Sequence, residues 1–155
     1  MLTIRPAGIE DLVGIQNCNL TCLPENYTFK YYYYHYVNWP SISFVAEDTA
    51  TSKIVGYVLA NVSDEEETPG ESKGHVTSIS VLREYRRMGL AKRLMEMSHQ
   101  AMKDAMGLNS VTLHVRASNH AAIGLYQGKL GYTVVEQDVG YYADGEDALY
   151  MKKVL

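Results

Sequence analysis

The chain has 155 residues, 46% of them hydrophobic, and a formal net charge of −4, enough for one globular domain with a sizeable core. That acidic balance argues against a nucleic-acid-binding domain, which needs a basic excess to neutralise phosphates. No apolar run reaches the ~18 residues of a membrane span.

In chain order, "LTIRPA" alternates as a short strand, and "IEDLVGIQNCNL" places Leu12, Ile15 and Leu20 near one face of a helix. The only cysteines, Cys18 and Cys22, fall in this helix. Nothing at suitable spacing completes a closed zinc site with them, so no metal is expected and they read as reduced core thiols. The N-terminus turns charged too early for a signal peptide. The expected compartment is therefore reducing and cytoplasmic, with entry to the nucleus left open. "LPENYTFKYYYYHYVNWP" is aromatic and irregular, and its Tyr31, Tyr32, Tyr33, Tyr34 run reads as an amphipathic helical segment.

"SISFVAED" and "KIVGYVLANV" read as strands joined by a polar turn at residues 49–52. "SDEEETPGESKG" is an acidic loop without apolar periodicity, expected to be mobile, and "HVTSISVL" is another strand. A helix is predicted over residues 87–106, with Leu90, Ala91, Leu94, Met95, Ala101, Met102 and Ala105 as its inner stripe and Gly107 as its C-cap. "SVTLHVRA" is a strand, and Asn119 is a good N-cap for the helix "HAAIGLYQGKL", closed by Gly131. "YTVVEQDV" and "ALYMKKVL" are strands flanking "GYYADGED", where Asp144-Gly145 marks a turn. The pattern predicts a single α/β domain over residues 1–155, built on one mixed sheet with a βαβα run in its second half.

Within "REYRRMGLAKRL", five of twelve residues are basic. The preceding strand runs directly into a helix start, which aims backbone N–H groups and the positive end of the helix dipole at one spot. Gly89 lets backbone approach a ligand closely, Ala91 keeps the first turn uncrowded, and Arg86 and Arg87 can add charge-assisted bonds to phosphate oxygens. Neither G-x-G-x-x-G nor G-x-x-x-x-G-K-[ST] occurs, so dinucleotide and P-loop readings fail. Lys92 and Arg93 fit either a solvated helix face or contact with a partner.

The spacing Arg86-x-x-Gly89-x-Ala91, followed by Asn119-x-x-Ala122-x-x-Leu125-Tyr126, resembles the GNAT acetyltransferase superfamily. Across nearly the whole chain, "CLPENY", "KYYYYH", "IVGYVLA", "RRMGLA", "LHVR" and "YYADGEDA" look like the catalytic subunits of NatA-type N-terminal acetyltransferases. The resemblance implies a sheet of about seven strands with about four helices. It also implies acetyl-CoA as co-substrate and direct attack by a protein α-amine, with no acyl-enzyme on Cys18 or Cys22. For the cofactor it implies Arg86, Arg87, Gly89, Leu90 and Ala91 at the pyrophosphate, with backbone of Ile79, Ser80 and Val81 and residues Asn119 and Tyr126 along the pantetheine and thioester. For the peptide it implies Leu23, Pro24, Glu25, Tyr27, Tyr141 and Tyr142. Glu25, His114 and His75 are candidates to orient or deprotonate the amine, and Tyr126 to protonate the leaving thiolate. His35, His99 and His120 carry no implied role.

Expected partners are peptide N-termini and a helical-repeat auxiliary subunit, and through that subunit the ribosome. Such a complex would take Ser, Ala, Thr, Gly, Cys or Val after Met removal, and the free chain would prefer acidic termini. Three alternatives stay open on the sequence: a lysine or small-amine acetyltransferase, a non-catalytic CoA-binding subunit, and a nucleic-acid module.

Overall fold

The computed structural model describes residues 1–66 and 68–155. Its strands are β1 (Leu2–Pro6), β2 (Phe44–Asp48), β3 (Lys53–Ser63), β4 (Lys73–Val81), β5 (Ser110–Arg116), β6 (Thr133–Asp138) and β7 (Ala148–Val154). Its helices are α1 (Leu12–Cys22), α2 (Phe29–Asn38), α3 (Leu90–Met106) and α4 (His120–Ile123). The seven strands form one sheet in the order β1-β2-β3-β4-β5-β7-β6. Only β4 and β5 run parallel, joined by α3 as the crossover; the other neighbours are antiparallel. The α/β class and the mixed sheet read from the sequence are both found. Glu67, in the acidic β3–β4 connection, lies outside the described residues. Among those described, no helix is long and apolar enough to cross a membrane.

The central strand β3 is buried over Ile54–Ala60 because α1 and α2 cover one face and α3 the other. At Gly14, α1 meets the sheet at backbone contact: a Cβ there would lie 2.6 Å from Ile54 Cγ1. Its inner face is Leu12, Ile15, Cys18 and Asn19, and Leu20 is 59% exposed, against the expectation. Leu20 follows Ile15 by five residues, roughly 140° round a helix of 3.6 residues per turn, and so faces away. In the tyrosine run of α2, Tyr32 is fully buried while Tyr33 and Tyr34 face out.

Two corrections apply to α3. It begins at Leu90 rather than at residue 87, because Arg87 and Gly89 both take left-handed backbone (φ 65° and 77°) and cannot enter the helix. Its inner stripe holds Leu90, Leu94, Met95, Ser98, His99 and Met102, whereas Ala105 is exposed with the rest of the last turn. Each fully buried Leu or Met of this stripe stabilises the domain by about 1.5–3 kcal/mol. Gly107 ends the helix in left-handed conformation, as expected.

His99 and His35 are structural. His99 Nε2 lies 2.6 Å from the Tyr132 hydroxyl, and burial, then Lys153, pushes its pKa down to about 4. His35 donates from Nδ1 to the Tyr31 carbonyl (3.0 Å) and accepts at Nε2 from Thr77 Oγ1 (2.8 Å), and burial lowers its pKa too. An unfolded chain takes up these protons below about pH 6.5 while the folded chain refuses them. Stability is therefore flat above that pH and falls as pH drops towards 4. For His99 alone the loss approaches roughly 3 kcal/mol. Thermal melts from pH 7 to 4 should show the decline, shallower in His99→Gln; parallel curves for the two would refute the assignment.

Candidate active site

The site exists because β4 and β5 part company. Their parallel pairing runs from Lys73↔Ser110 to Val76↔Leu113 and stops there. On its other edge, β4 carries an extra residue: Leu59 faces Ser78 and Ala60 faces Val76, so Thr77 bulges. A bulge bends and twists its strand, and here it coincides with the divergence. Beyond it, residues 78–81 keep their pairing with β3, while the edge towards β5 lies outside the paired register. A cavity of about 350 Å³ occupies the wedge. It is lined by Leu23, Pro24, Glu25, Tyr27, His75, Ile79, His114, Asn119, Tyr126, Tyr141 and Tyr142, so most of the candidate residues named from the sequence converge here.

One wall is organised by Arg116, at the end of β5. Its Nε and Nη2 grip Glu25 Oε1 from the α1–α2 loop, the former at 3.0 Å. Its Nη1 donates to Asp144 Oδ2 (2.8 Å) and Glu146 Oε1 (2.9 Å) in the β6–β7 connection. The guanidinium carbon also lies 4.2 Å from the centre of the Tyr142 ring. A fork with several fixed donors suits such multiple gripping. The Glu146 carboxyl is held below its usual pKa by Ser118 and then Arg116, and that of Asp144 by the Glu146 N–H and then Arg116. The hairpin turns where expected, with Gly145 at φ 89° donating to the Tyr142 carbonyl. Behind Glu25, buried Asn19 donates to its carbonyl (2.9 Å) and to the Tyr57 hydroxyl (3.2 Å), which meets Ser78 Oγ at 2.6 Å.

Two imidazoles form the floor, with ring centres 5.7 Å apart. His75 Nδ1 bonds Thr112 Oγ1 at 2.9 Å, and burial, then the His114 charge, pushes its pKa down to about 4, so it is neutral near pH 7. His114 is sandwiched: Tyr141 stacks on it at 4.4 Å and 7°, Tyr150 packs at 4.9 Å, and its Nε2 lies 3.0 Å from Asp138 Oδ2.

The opposite wall is the start of α4, whose N-cap Asn119 accepts from the Ala122 N–H (3.2 Å), as expected. The helix does not continue regularly. After Ile123 it widens into a π-helix over Gly124–Lys129, a feature frequent at functional sites. Tyr126 sits in it, 7% exposed, and burial followed by Tyr142 pushes its phenol up to about 12. It therefore keeps its proton at neutral pH.

The basic loop lies past the cavity, off the end of β4. Ser80 and Val81 are buried and contribute backbone, and the Leu90 side chain belongs to the core. Arg86 Nε is bonded to the Val81 carbonyl (2.8 Å), which ties that guanidinium back across the strand end. Arg87 and Gly89 are exposed, and a Cβ at Gly89 would meet nothing within 4 Å, so its glycine is explained by φ rather than by crowding. Lys92 pairs with Glu96 one turn on, a solvated-face arrangement. Among the described residues, no three His, Cys, Asp or Glu side chains are placed to hold a metal ion.

Sequence reasoning assigned no role to Arg116, Asp138, Asn19 or Ser78. A signal for Arg116 was present: a charge two residues after His114, on the same face of a strand whose alternate residues Leu113 and Val115 are core. Asp138 carried none, because its meeting with His114 depends on how β6 and β7 register.

The acetyltransferase (GNAT) family matches residues 12–132. The chain is 53% identical, over 98% of its length and 85% of the relative's, to the N-terminal acetyltransferase A complex catalytic subunit ard1 of Schizosaccharomyces pombe. Its fold is similar to that of Chaetomium thermophilum Naa20 in complex with a bisubstrate analogue, with a TM-score of 0.85, 34% identity, and 99% and 86% of the two chains covered. It also resembles a chain of the NatB acetyltransferase complex bound to CoA and MES, with a TM-score of 0.80, 31% identity, and 99% of each chain covered.

Proposed function

The chain belongs to the acetyltransferase (GNAT) family and is an acetyl-CoA-dependent N-terminal acetyltransferase, and from that premise we propose how its cleft works and on what. The observation that carries the reading is the wedge between β4 and β5, with a buried phenol on one wall and an Arg116-centred peptide wall on the other. The open edge of Ile79, Ser80 and Val81 pairs with the pantetheine amides and polarises the thioester carbonyl. Backbone N–H groups at the start of α3, with Arg86, Arg87, Gly89, Leu90 and Ala91 around them, hold the pyrophosphate.

The peptide enters from the other side. Leu23, Pro24 and Tyr27 wall its first side chain, and Tyr141 and Tyr142 lie along its backbone. Glu25, locked to Arg116, orients the α-amine. That amine has a reference pKa of about 7.7–8.0, so it is partly neutral near pH 7 and needs only a modest base. As its nitrogen bonds to the carbonyl carbon, the C–S bond breaks and Tyr126 O–H gives its proton to the leaving sulfur. The amine proton leaves by way of His75 and His114.

The substrates are protein N-termini bearing small residues, Ser, Ala, Thr, Gly, Cys or Val, in a complex with a helical-repeat auxiliary subunit. Support comes from the name of the fission-yeast relative, a complex catalytic subunit. For the free chain, acidic termini are the preferred class. The two free cysteines suit a reducing cytoplasm, and the auxiliary subunit would bring the chain to the ribosome.

The test is acetyl-CoA turnover on peptides beginning Ser, Ala, Glu or Met-Leu, each with an internal lysine and an N-terminally blocked twin. Turnover should vanish on blocking. Turnover that survives blocking would move the acceptor to lysine.

A further inference from the structure

The bulge at Thr77 opens the wedge, and a bulge stays in place only if something holds its extra residue. Closing it would slide residues 78–81 one position along β3 and turn each side chain to the other face. Ser78 and Ser80, now opposite Leu59 and Tyr57, would leave the buried face, and the edge beyond Val76 would be rebuilt.

What holds Thr77 is a set of hydrogen bonds whose directions are all decided. The Tyr31 carbonyl can only accept, so His35 carries its proton on Nδ1 (3.0 Å) and its lone pair on Nε2. That lone pair faces Thr77 Oγ1 at 2.8 Å, so the hydroxyl donates to it. With its proton committed, the same oxygen accepts from Asn61 Nδ2 at 3.2 Å. His35 is fully buried, and its ring is boxed edge-on by Tyr31 at 4.6 Å and Trp39 at 5.7 Å, so the acceptor cannot swing away. A helix packed over the sheet thus grips the one residue of β4 that has no place in the β3 register.

We propose that His35 is a positioning residue for acetyl transfer: by accepting from the bulged Thr77 it locks the register of β4 and fixes the edge of Ile79, Ser80 and Val81 against acetyl-CoA. This rests on the reading that this edge holds the pantetheine and the thioester. Thr77 lines the cavity, whereas His35 does not and acts only through it. Tyr57 supports the same register one residue on, where its hydroxyl meets Ser78 Oγ at 2.6 Å.

The first test needs no variant. Two-bond 15N–1H spectra of the wild-type His35 ring should show Nδ1 protonated and Nε2 bare, and a proton on Nε2 would overturn the proposal. The second is Thr77→Val, which keeps the shape of the side chain and removes the hydroxyl. Titration with acetyl-CoA alone should show its Kd raised about 10-fold, the equivalent of roughly one net hydrogen bond lost at the strand edge. The kcat on an unblocked peptide should fall roughly 10- to 100-fold as the carbonyl is misplaced, with KM for the peptide near its wild-type value. Thr77→Ser keeps the donor and should restore both. Wild-type Kd and kcat in Thr77→Val, or an equal loss in Thr77→Ser, would refute the lock. His35→Leu should reproduce the losses of Thr77→Val and add little to them in the double variant; losses that multiply would mean that the two residues act separately, against the proposal. Binding of acetyl-CoA needs no acceptor, so these outcomes are separate from the α-amine reading, which fails only if the wild-type chain acetylates blocked peptides.

Discussion

Replacing Tyr126 by phenylalanine is expected to lower kcat by roughly 10²- to 10⁴-fold, the span over which a positioned acid or base contributes. The variant is conservative in shape. Tyr126 is a core residue, 7% exposed and 5.8 Å from the Tyr132 ring, and phenylalanine keeps that packing. What is lost is the proton of a phenol whose pKa, pushed up to about 12, keeps it protonated across the working range. Steady-state thiol release with acetyl-CoA and an unblocked peptide should therefore show kcat reduced while KM for acetyl-CoA stays near its wild-type value. The melting temperature should move little. An unchanged kcat would remove Tyr126 from the donor role and leave thiolate departure to solvent.

Arg116→Ala should be damaging in a different way. The guanidinium is the shared partner of Glu25, Asp144 and Glu146 and the cover of Tyr142, so one side chain holds together the α1–α2 loop and the β6–β7 hairpin. Without it, three carboxylates converge on one spot with their compensating charge gone, and the two segments it joins move apart. Misplacing reacting groups by about 1 Å can lower a rate about 10²-fold, and a loss of at least that order in kcat/KM for the peptide is expected. The effect should concentrate in the peptide terms, since the loop proposed to hold the pyrophosphate lies beyond the end of β4. Arg116→Lys should not rescue, because an ammonium is a point charge and cannot fork to three partners. Parallel kinetics varying peptide and acetyl-CoA separately would check this, and a variant with wild-type peptide kinetics would show that Glu25 and the hairpin are placed independently of Arg116.

The two variants bracket what could be read from residues alone. Alternation and apolar periodicity were enough for the seven strands, the helices and the mixed α/β class, because burial of a strand face or helix stripe depends on spacing along the chain. Local chemistry also sufficed at Asn119, Gly107 and Gly145, where a cap or a positive φ is decided by the residue and its near neighbours. Where the expectations slipped, a local pattern was competing with backbone geometry it could not register. The basic run around Arg87 looked helical by composition, yet left-handed backbone at Arg87 and Gly89 delays α3 to Leu90. The helix after Asn119 looked regular and is a π-helix around Tyr126.

By itself, then, the sequence determined most of the elements and most of the core. Only the tertiary structure decided that β4 and β5 separate after Val76, that Arg116 spends its donors on carboxylates 91, 28 and 30 residues away, and that Asp138 meets His114 across 24 residues. The reason is physical. Periodicity reports only whether a side chain is buried, whereas an ion pair depends on strand register and on where a sheet opens, and those are settled when distant segments pack.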